Sequence, residues 1–195
     1  MSEWRALLLG GTTATGKSTS GRLVARQLDI ACISADSIWK ALVSATTPDS
    51  HPSFHHFEPT PEVFARGPEH LAGLHIEQAS AMTWPLEAFV DWELHDHNRF
   101  VFEGAWITPE LAARLSSESP EVCAVFIDEP EEKEILASML KRSGRTDPLP
   151  RQLSISAMAW RYGNWLREQI GRLGLASVPA RPRETLADRI IAAAG

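Results

Sequence analysis

The run Gly11-Thr12-Thr13-Ala14-Thr15-Gly16-Lys17-Ser18-Thr19 restricts the fold of this 195-residue chain more than any other feature. Two glycines separated by four residues precede Lys-Ser, and only Gly10 separates the run from the apolar stretch Arg5–Leu9. Glycines at such positions let the backbone curl, so that successive amide N–H groups point inward and can bind phosphate oxygens. A glycine-rich turn that binds nothing is the alternative. The strand pattern before the run and the helical pattern after it favour a phosphate-binding loop.

Two residues near the end of this run carry groups that a bound nucleoside triphosphate requires. Lys17 would reach the β- and γ-phosphates, and the Ser18 hydroxyl would bind a Mg²⁺ ion that bridges them. The positive end of the following helix dipole would add to the attraction for phosphate. The sequence therefore predicts a magnesium-dependent triphosphate site over Gly11 to Thr19.

Short apolar runs rich in β-forming residues alternate with helical patterns along the rest of the chain. The predicted strands are Arg5–Leu9, Ile30–Ser34, Phe100–Glu103, Val122–Asp128 and Leu175–Val178. The predicted helices are Ser18–Leu28, Ser37–Ala45, Pro68–Met82, Pro85–His95, Pro109–Ser117, Glu131–Arg142, Gln152–Arg172 and Glu184–Ala194. Such alternation forms right-handed crossovers, which place helices on both faces of a parallel sheet. We therefore expect one α/β domain over residues 1–195, with irregular chain at Thr46–Gly67 and Ser143–Arg151.

The charge balance and the cysteines restrict the partner and the compartment. The chain has 19 Lys and Arg against 25 Asp and Glu, and this net charge of -6 would repel a nucleic-acid backbone. No apolar run approaches the roughly 18 residues of a membrane span, and residues 1–5 do not resemble the start of a signal peptide. Cys32 and Cys123 lie in apolar runs that predict buried free thiols. We expect a cytoplasmic monomer or homodimer that binds neither nucleic acid nor membrane.

With its glycine-rich loop between a strand and a helix, the chain resembles the P-loop NTPases. Its length is similar to that of the small-molecule kinases built like nucleoside monophosphate kinases. The resemblance implies ATP and Mg²⁺ as cofactors and a three-layer sandwich whose five parallel strands have the order 2-3-1-4-5. It also implies an acceptor-binding segment at about residues 36–98 and an Arg-bearing lid at about residues 142–152.

Two acidic residues at the ends of predicted strands are candidates for the chemistry. Asp36 comes directly after strand two, so its carboxylate would lie at the carboxyl edge of the sheet. There it could accept the proton of an attacking hydroxyl, as in the resembled kinases, or hold a water of the Mg²⁺ shell; capping of the next helix is the alternative. Glu103 ends strand three and would lie near Mg²⁺ or the acceptor hydroxyl, unless it caps a helix or faces solvent.

Several segments more narrowly resemble the 2-phosphoglycerate kinase type of P-loop kinase. They are Gly10 to Ser18, Ser34-Ala35-Asp36-Ser37-Ile38, His75-Ile76-Glu77-Gln78 and Phe102-Glu103-Gly104. Trp39, with Lys40 beside it, stands where that family tends to have Arg, and Trp106 stands where it has His. The resemblance implies a site for a small-molecule acceptor formed by Asp36, Trp39, Lys40, Glu103, Gly104, Trp106 and Arg161.

The acceptor-binding segment is poor in charge. Between Asp36 and Asn98 the permanent cations are Lys40 and Arg66, whereas an anionic acceptor usually needs forked Arg contacts. Most aromatic residues of this stretch are expected to pack in the core, with Trp39 and also Trp106 as exceptions that face the acceptor. The sequence therefore predicts a hydroxyl compound of low charge. A zinc site built from the seven histidines is rejected, because no cysteine or carboxylate pair stands at a fixed offset from them.

Arginines after strand four are candidates for stabilising the charge of the transferred phosphoryl group. The run Ser143-Gly144-Arg145-Thr146-Asp147 resembles the lid of nucleoside monophosphate kinases, which makes Arg142 and Arg145 the first catalytic candidates beside Lys17 and Asp36. Arg151 and Arg161 come next, although any single arginine also fits a solvated surface position. Arg181, after strand five, is expected to stack on the adenine base.

Together these features favour an enzyme, an ATP-dependent kinase that transfers the γ-phosphoryl group to a hydroxyl of a small molecule. A regulatory ATPase that acts on a protein partner is an alternative, which would need neither Asp36 nor the lid arginines. A kinase for a phosphorylated acceptor, such as 2-phosphoglycerate or a nucleoside monophosphate, is another. A nucleic-acid end kinase is disfavoured by the net charge of -6.

Overall fold

Parallel pairing joins all strands of the computed structural model, which describes residues 4–56, 61–142 and 149–195. Within these residues the sheet has five strands in the order β2-β3-β1-β4-β5, which confirms the predicted order. The strands are β1 Ala6–Gly11, β2 Ala31–Ser34, β3 Phe100–Glu103, β4 Val122–Asp128 and β5 Ala176–Pro179. Each lies within two residues of its predicted bounds, because strands covered on both faces read as short continuous apolar runs.

Helices cover both faces of the sheet. They are α1 Lys17–Leu28, α2 Ala35–Ala45, α3 Pro61–Ala65, α4 Pro68–Ala81, α5 Thr83–His95, α6 Pro109–Glu118, α7 Glu132–Leu140, α8 Leu149–Leu173 and α9 Leu186–Ala194. Two details differ from the prediction. Helix α3 and a 3₁₀ turn at Pro52–Phe54 lie in the segment predicted as irregular, and α8 begins at Leu149, so that residues 149–152 of the predicted lid are helical.

Alternate residues of the central strands pack into two separate cores, one on each face of the sheet. Leu8 packs on one face, in a cluster with Phe102 and Phe126 that α5, α6 and α8 complete. Leu7 and Leu9 pack on the other face, against residues of α1 and α9. Because successive side chains of a strand point to opposite faces, one apolar run supplies both cores, and the three-layer sandwich follows.

Two further expectations concern the state of the two cysteines and the absence of a membrane-spanning helix. Cys32 and Cys123 are both free thiols, as predicted, although each is only half-buried. Burial raises the pKa of Cys32 to about 11 and that of Cys123 to about 12, which keeps both protonated near neutral pH. Among the described residues, no helix is long and apolar enough to cross a membrane.

A single glycine allows very close packing between the end of β3 and the start of α2. A Cβ atom added to Gly104, directly after β3, would lie 2.6 Å from the Cβ of Ala35, the first residue of α2. Ala35 is fully buried and cannot withdraw without moving the start of the helix. The missing side chain of Gly104 therefore lets α2, which carries Asp36, lie directly beside the end of β3.

Gly104→Ala should destabilise the protein, because overpacking of a rigid contact costs about 1–3 kcal/mol. For a domain of this size each kcal/mol lowers Tm by about 2–4 °C, which thermal unfolding followed by circular dichroism would measure. Gly73→Ala is the matched control. Gly73 lies inside α4 with no atom within 4 Å of an added Cβ, so that alanine there should stabilise by about 0.5–1 kcal/mol. A Gly104→Ala protein that melts at or above the wild-type temperature would contradict the packing described here.

Candidate functional site

The loop between β1 and α1 has the backbone that an anion site requires. Gly11 and Gly16 have φ values of +134° and +98°, a region that residues with a side chain rarely adopt. A Cβ on Gly11 would lie 2.6 Å from the carbonyl oxygen of Ile127 in β4, so the loop also needs glycine for space. Gly16 occupies the N-cap of α1 and makes no side-chain capping bond, which leaves the first N–H groups of the helix for a ligand.

Two threonines of the loop hold its shape. The Thr12 hydroxyl donates to the Ala159 carbonyl oxygen at 2.7 Å, and the Thr15 hydroxyl donates to the Thr12 carbonyl oxygen at 2.8 Å. Both side chains are buried. Of the loop residues predicted to bind nucleotide, these two therefore use their hydroxyls within the protein, and only their backbone groups are placed to bind phosphate.

Lys17 is buried at the centre of the site. Its side chain is 8 % exposed, and its Nζ donates to the Thr12 carbonyl oxygen at 2.8 Å. Burial lowers the pKa of Lys17 to about 8, although the negative charges of Glu103 and Asp36 act in the opposite direction. The structure thus brings together the ammonium group and the two carboxylates that the sequence analysis selected.

Ser18 and Glu103 meet directly. The Ser18 hydroxyl donates to a Glu103 carboxylate oxygen at 3.1 Å, and Glu103 is 4 % exposed. Ser34 at the end of β2 is in register with Glu103, which carries the start of α2 to the same edge of the sheet. Hydroxyl and carboxylate oxygens are ligands that Mg²⁺ accepts, so Ser18 and Glu103 fit the metal site expected there. Among the described residues, no three His, Cys, Asp or Glu side chains are grouped to hold a metal ion.

Asp36 lies inside the first turn of α2. The helix begins at Ala35 and its N-cap residue is Ser34, so capping by Asp36, the alternative considered for it, is not what the structure shows. The Asp36 side chain is exposed, yet its charge acts on Lys17. Lys40, one turn further along the same helix, is also exposed.

Aromatic side chains pack beside Lys17. Trp39 and Trp106 lie with ring centroids 5.6 Å apart, and His75 stacks on Trp106 at 4.6 Å. The expectation that Trp106 stands apart from the core is wrong: it is 4 % exposed and belongs to the cluster under α5, α6 and α8. Trp39 is half-buried against the same cluster. Burial, together with the charge of Lys17, lowers the pKa of His75 to about 3, so His75 is neutral at physiological pH.

A second set of cations lies on the other side of the loop. Lys141 and Arg142, at the end of α7, line a cavity of about 350 Å³ with Gly16, Thr19 and Arg183. The charge of Arg142 contributes to the lowered pKa of Lys17, so the predicted lid begins near the loop. Arg145 lies outside the described residues.

Two further arginines of α8 contact aromatic rings. The Arg161 guanidinium lies 5.7 Å from the Trp160 ring centroid and 3.5 Å from the Ala157 carbonyl oxygen. The Arg151 guanidinium lies 5.3 Å from the Phe64 ring centroid. Both arginines are half-buried.

Arg183, and not the Arg181 expected from the sequence, lies at the loop. Arg181 forms ion pairs with Glu129 at 2.9 Å and with Glu134 at 2.6 Å. Arg183 donates to the carbonyl oxygens of Ala14, at 2.9 Å, and of Thr15. Burial and the nearby charge of Arg181 lower the pKa of Arg183. Both arginines follow the same strand, and the pattern Arg-Pro-Arg offered no basis for choosing between them.

A separate groove of about 430 Å³ lies on the acceptor side, beside α4. Arg66 and three histidines line it among apolar residues: Pro48, Pro52, His55, His56, Val63, Arg66, His70 and Leu74. His56 lies 3.5 Å from Glu77, and a His55 ring nitrogen lies 3.1 Å from the Thr46 hydroxyl. The groove shares no lining residue with the cavity beside the loop.

The lowered pKa of Lys17 predicts that ATP binding takes up protons. Free Lys17 loses its proton as the pH rises through about 8, whereas bound phosphates raise its pKa and restore the proton. Uptake of up to about one proton per site is expected above pH 8 and almost none below pH 7. Titration calorimetry in buffers of different ionisation enthalpy measures this quantity. Lys17→Met should abolish the uptake, Lys133→Met on the surface should keep it, and equal uptake in both variants would contradict the assignment.

Comparison with known proteins identifies the fold. No protein-family model matches the chain, and no curated protein matches it significantly in sequence. Its structure is similar to that of a sugar kinase from Janibacter sp. HTCC2649, with 17% identity, a TM-score of 0.57, and 97% of this chain and 93% of that one covered. A gluconokinase from Sinorhizobium meliloti 1021 has 15% identity and a TM-score of 0.51 over 98% of this chain and 91% of its own. At these identities the likeness shows the fold alone, an α/β fold that this chain shares with both proteins.

Proposed function

We propose that this protein is an ATP-dependent kinase that transfers the γ-phosphoryl group to a hydroxyl of a small molecule. The observation that carries the proposal is the hydrogen bond from Ser18 to Glu103 near the buried Lys17, whose pKa the charges of both Glu103 and Asp36 act to raise. A phosphate-binding loop alone would serve any nucleotide-binding protein. Two carboxylates whose charges act on the loop lysine, one from β3 and one from α2, would supply a metal contact and a proton acceptor in addition.

On the nucleotide side, each group has a distinct task. The N–H groups of the loop and the Lys17 ammonium would bind the β- and γ-phosphates, and Lys17 would exchange its contact with the Thr12 carbonyl oxygen for a phosphate oxygen. Ser18 and Glu103 would hold Mg²⁺, which when bound neutralises charge on the phosphates. Arg142, with Arg145 of the predicted lid, would stabilise charge on the transferred group. Arg183, which lines the same cavity as Arg142, would border the nucleotide.

On the acceptor side, Asp36 is the proposed base. The acceptor oxygen forms a bond to the γ-phosphorus while the bond from that phosphorus to the β–γ bridging oxygen breaks, and the bridging oxygen leaves with ADP. The hydroxyl proton passes to the Asp36 carboxylate. An exposed carboxylate in the first turn of α2 is free to approach a substrate, whereas Glu103 already accepts the Ser18 hydrogen bond.

The aromatic surroundings support an acceptor of low charge. Trp39, Trp106 and the neutral His75 lie on this side of Lys17, and burying an anion against them without paired donors would cost several kcal/mol. One observation favours a phosphorylated acceptor as the second candidate. Arg66 lines a groove with three histidines on the same side of the molecule, and such a groove would suit a phosphate group.

Binding of ATP should depend on both Mg²⁺ and Lys17. Lys17→Ala removes charge-assisted hydrogen bonds worth about 1.5–3 kcal/mol, so Kd should rise about 10- to 100-fold. Chelation of Mg²⁺ should weaken binding to wild-type protein in the same calorimetric titration. Lys133→Ala is the control, because Lys133 is 77% exposed and far from the loop in sequence. Equal ATP affinity in the wild type and Lys17→Ala would overturn the assignment of the loop.

Asp36→Asn should separate binding from chemistry. The amide keeps the shape of the carboxylate but accepts no proton, so phosphoryl transfer should fall about 10²- to 10⁴-fold while the Kd for ATP stays unchanged. Coupled measurement of ADP release and of labelled product distinguishes transfer from slow hydrolysis. Asp91→Asn, on the exposed face of α5, is the matched control. Unchanged transfer in Asp36→Asn would remove Asp36 from the mechanism and assign the base to Glu103.

A further inference from the structure

Two buried polar atoms on the acceptor side lack a hydrogen-bond partner within the described part of the chain. They are the indole Nε1 of Trp106 and the amide Oε1 of Gln78, a residue of α4. Trp106 is 4 % exposed and Gln78 is completely buried. An unpaired polar atom in the interior loses its hydrogen bonds to water without replacing them, so two such atoms in one region require an explanation.

The two atoms have opposite hydrogen-bonding character. An indole N–H can only donate, and an amide oxygen can only accept. The orientation of the Gln78 amide follows from its neighbour, because its Nε2 donates to the Phe54 carbonyl oxygen at 3.1 Å. The reversed amide would place two oxygens against each other. Gln78 Oε1 is therefore the atom that needs a donor, and Trp106 Nε1 is the atom that needs an acceptor.

Both atoms belong to one neighbourhood. Trp39 donates its indole N–H at 3.0 Å to the same Phe54 carbonyl oxygen that Gln78 uses, and its ring lies 5.6 Å from that of Trp106. His75, one helical turn before Gln78, stacks on Trp106 at 4.6 Å. Three contacts thus connect Gln78 with Trp106.

The same neighbourhood reaches the phosphate-binding loop. His75 packs edge-on against Tyr162 of α8 at 4.4 Å. A Cβ on Gly163, the next residue of α8, would lie 3.3 Å from Thr12 of the loop. The unpaired atoms therefore lie on the acceptor side of the proposed transfer site and not on a remote surface.

We propose that Trp106 Nε1 and Gln78 Oε1 bind one hydroxyl group of an uncharged, ring-bearing acceptor. The hydroxyl oxygen accepts from the indole N–H, and the hydroxyl proton is donated to the amide oxygen. Calling the ligand an acceptor rests on the proposed kinase function. The half-buried Trp39, which covers this region, must shift to admit the ring.

This pair of atoms discriminates between classes of ligand. A carboxylate or phosphate oxygen could accept from Trp106, but it would then turn lone pairs toward Gln78 Oε1, which has no proton to share. A neutral O–H group, that of an alcohol or of a water molecule, satisfies both atoms. Sites built to bind a hydroxyl reject analogues that leave their buried polar groups unpaired. The geometry therefore selects neutral hydroxyl compounds over anionic ones.

Substitution of Trp106 tests whether its N–H binds a ligand. Trp106→Phe removes the N–H, which has no partner among the described residues, and keeps an aromatic ring in the core. If the N–H serves a ligand, the variant should lose acceptor affinity without losing ATP affinity. Gln78→Met provides a second, independent variant, because it removes the amide oxygen that α4 contributes.

The experiment uses matched pairs of compounds on the full chain with ATP and Mg²⁺: myo-inositol and inositol 1-phosphate, glucose and glucose 6-phosphate, thymidine and thymidine monophosphate. Binding is measured by titration calorimetry in the presence of a non-hydrolysable ATP analogue, and transfer is measured with labelled ATP. At least one neutral compound should bind more tightly than its phosphorylated counterpart. Trp106→Phe and Gln78→Met should each weaken its binding about 5- to 10-fold, the loss expected for one hydrogen bond.

Two substitutions of the same kind serve as controls. Trp84→Phe changes a tryptophan that is 62% exposed, and Gln27→Met changes an exposed glutamine on α1. Neither should alter binding of the neutral compound. Preference for every phosphorylated partner, absence of binding by all neutral compounds, or unchanged affinity in both test variants would each overturn the proposal.

Failure of this inference is distinguishable from failure of the kinase proposal. If Lys17→Ala leaves ATP binding intact, the kinase proposal fails, yet calorimetry still reports whether a neutral ring binds through Trp106 and Gln78. If ATP binding depends on Lys17 and only phosphorylated compounds are accepted, the kinase proposal stands and the hydroxyl site fails.

Discussion

Burial of the Lys17 ammonium group is the constraint on which the site depends. A cation with 8 % of its side chain exposed loses hydration, and the protein offsets that loss with the Thr12 carbonyl oxygen and with negative charge from Glu103 and Asp36. The two carboxylates come from different elements, so β3 must end and α2 must begin close to the loop. The order of the strands, with β3 between β1 and β2, makes that convergence possible. The oxygens of a triphosphate could replace the groups that stabilise the ammonium of the free protein.

Local patterns were sufficient for most of the fold. Strands buried on both faces leave continuous apolar runs, and the helices between them start near Pro or Ser, so all five strands and eight of the helices were predictable. Helix α3 escaped prediction because it is a single turn within a Pro- and His-rich segment. Lys17, Ser18, Asp36 and Glu103 were predictable because their positions relative to strand ends determine where their side chains lie.

Other parts of the site depend on packing that no local pattern encodes. Arg181 and Arg183 stand two residues apart, and only the position of Glu129 and Glu134 decides which of them turns away from the loop. Trp106 is of a residue type that is common in binding sites. Its burial, however, follows from packing against α4 and α8, which the sequence does not reveal. Gln78 lies in one of the segments that carry the resemblance, but no role for it followed from the sequence, since its proposed role arises from one unpaired atom. Long-range contacts determine these side chains, and a single sequence does not reveal them.

The bonds from Arg183 to the carbonyl oxygens of Ala14 and Thr15 also bear on biosynthesis. They join residues 168 and 169 positions apart, and the Thr12 hydroxyl is bonded to Ala159 across 147 positions. During translation the loop leaves the ribosome long before these partners exist. A nascent chain therefore carries the complete glycine-rich run without the supports that shape it. The nucleotide binding proposed for this loop should consequently begin late in synthesis, once the segment after β5 has folded against the loop.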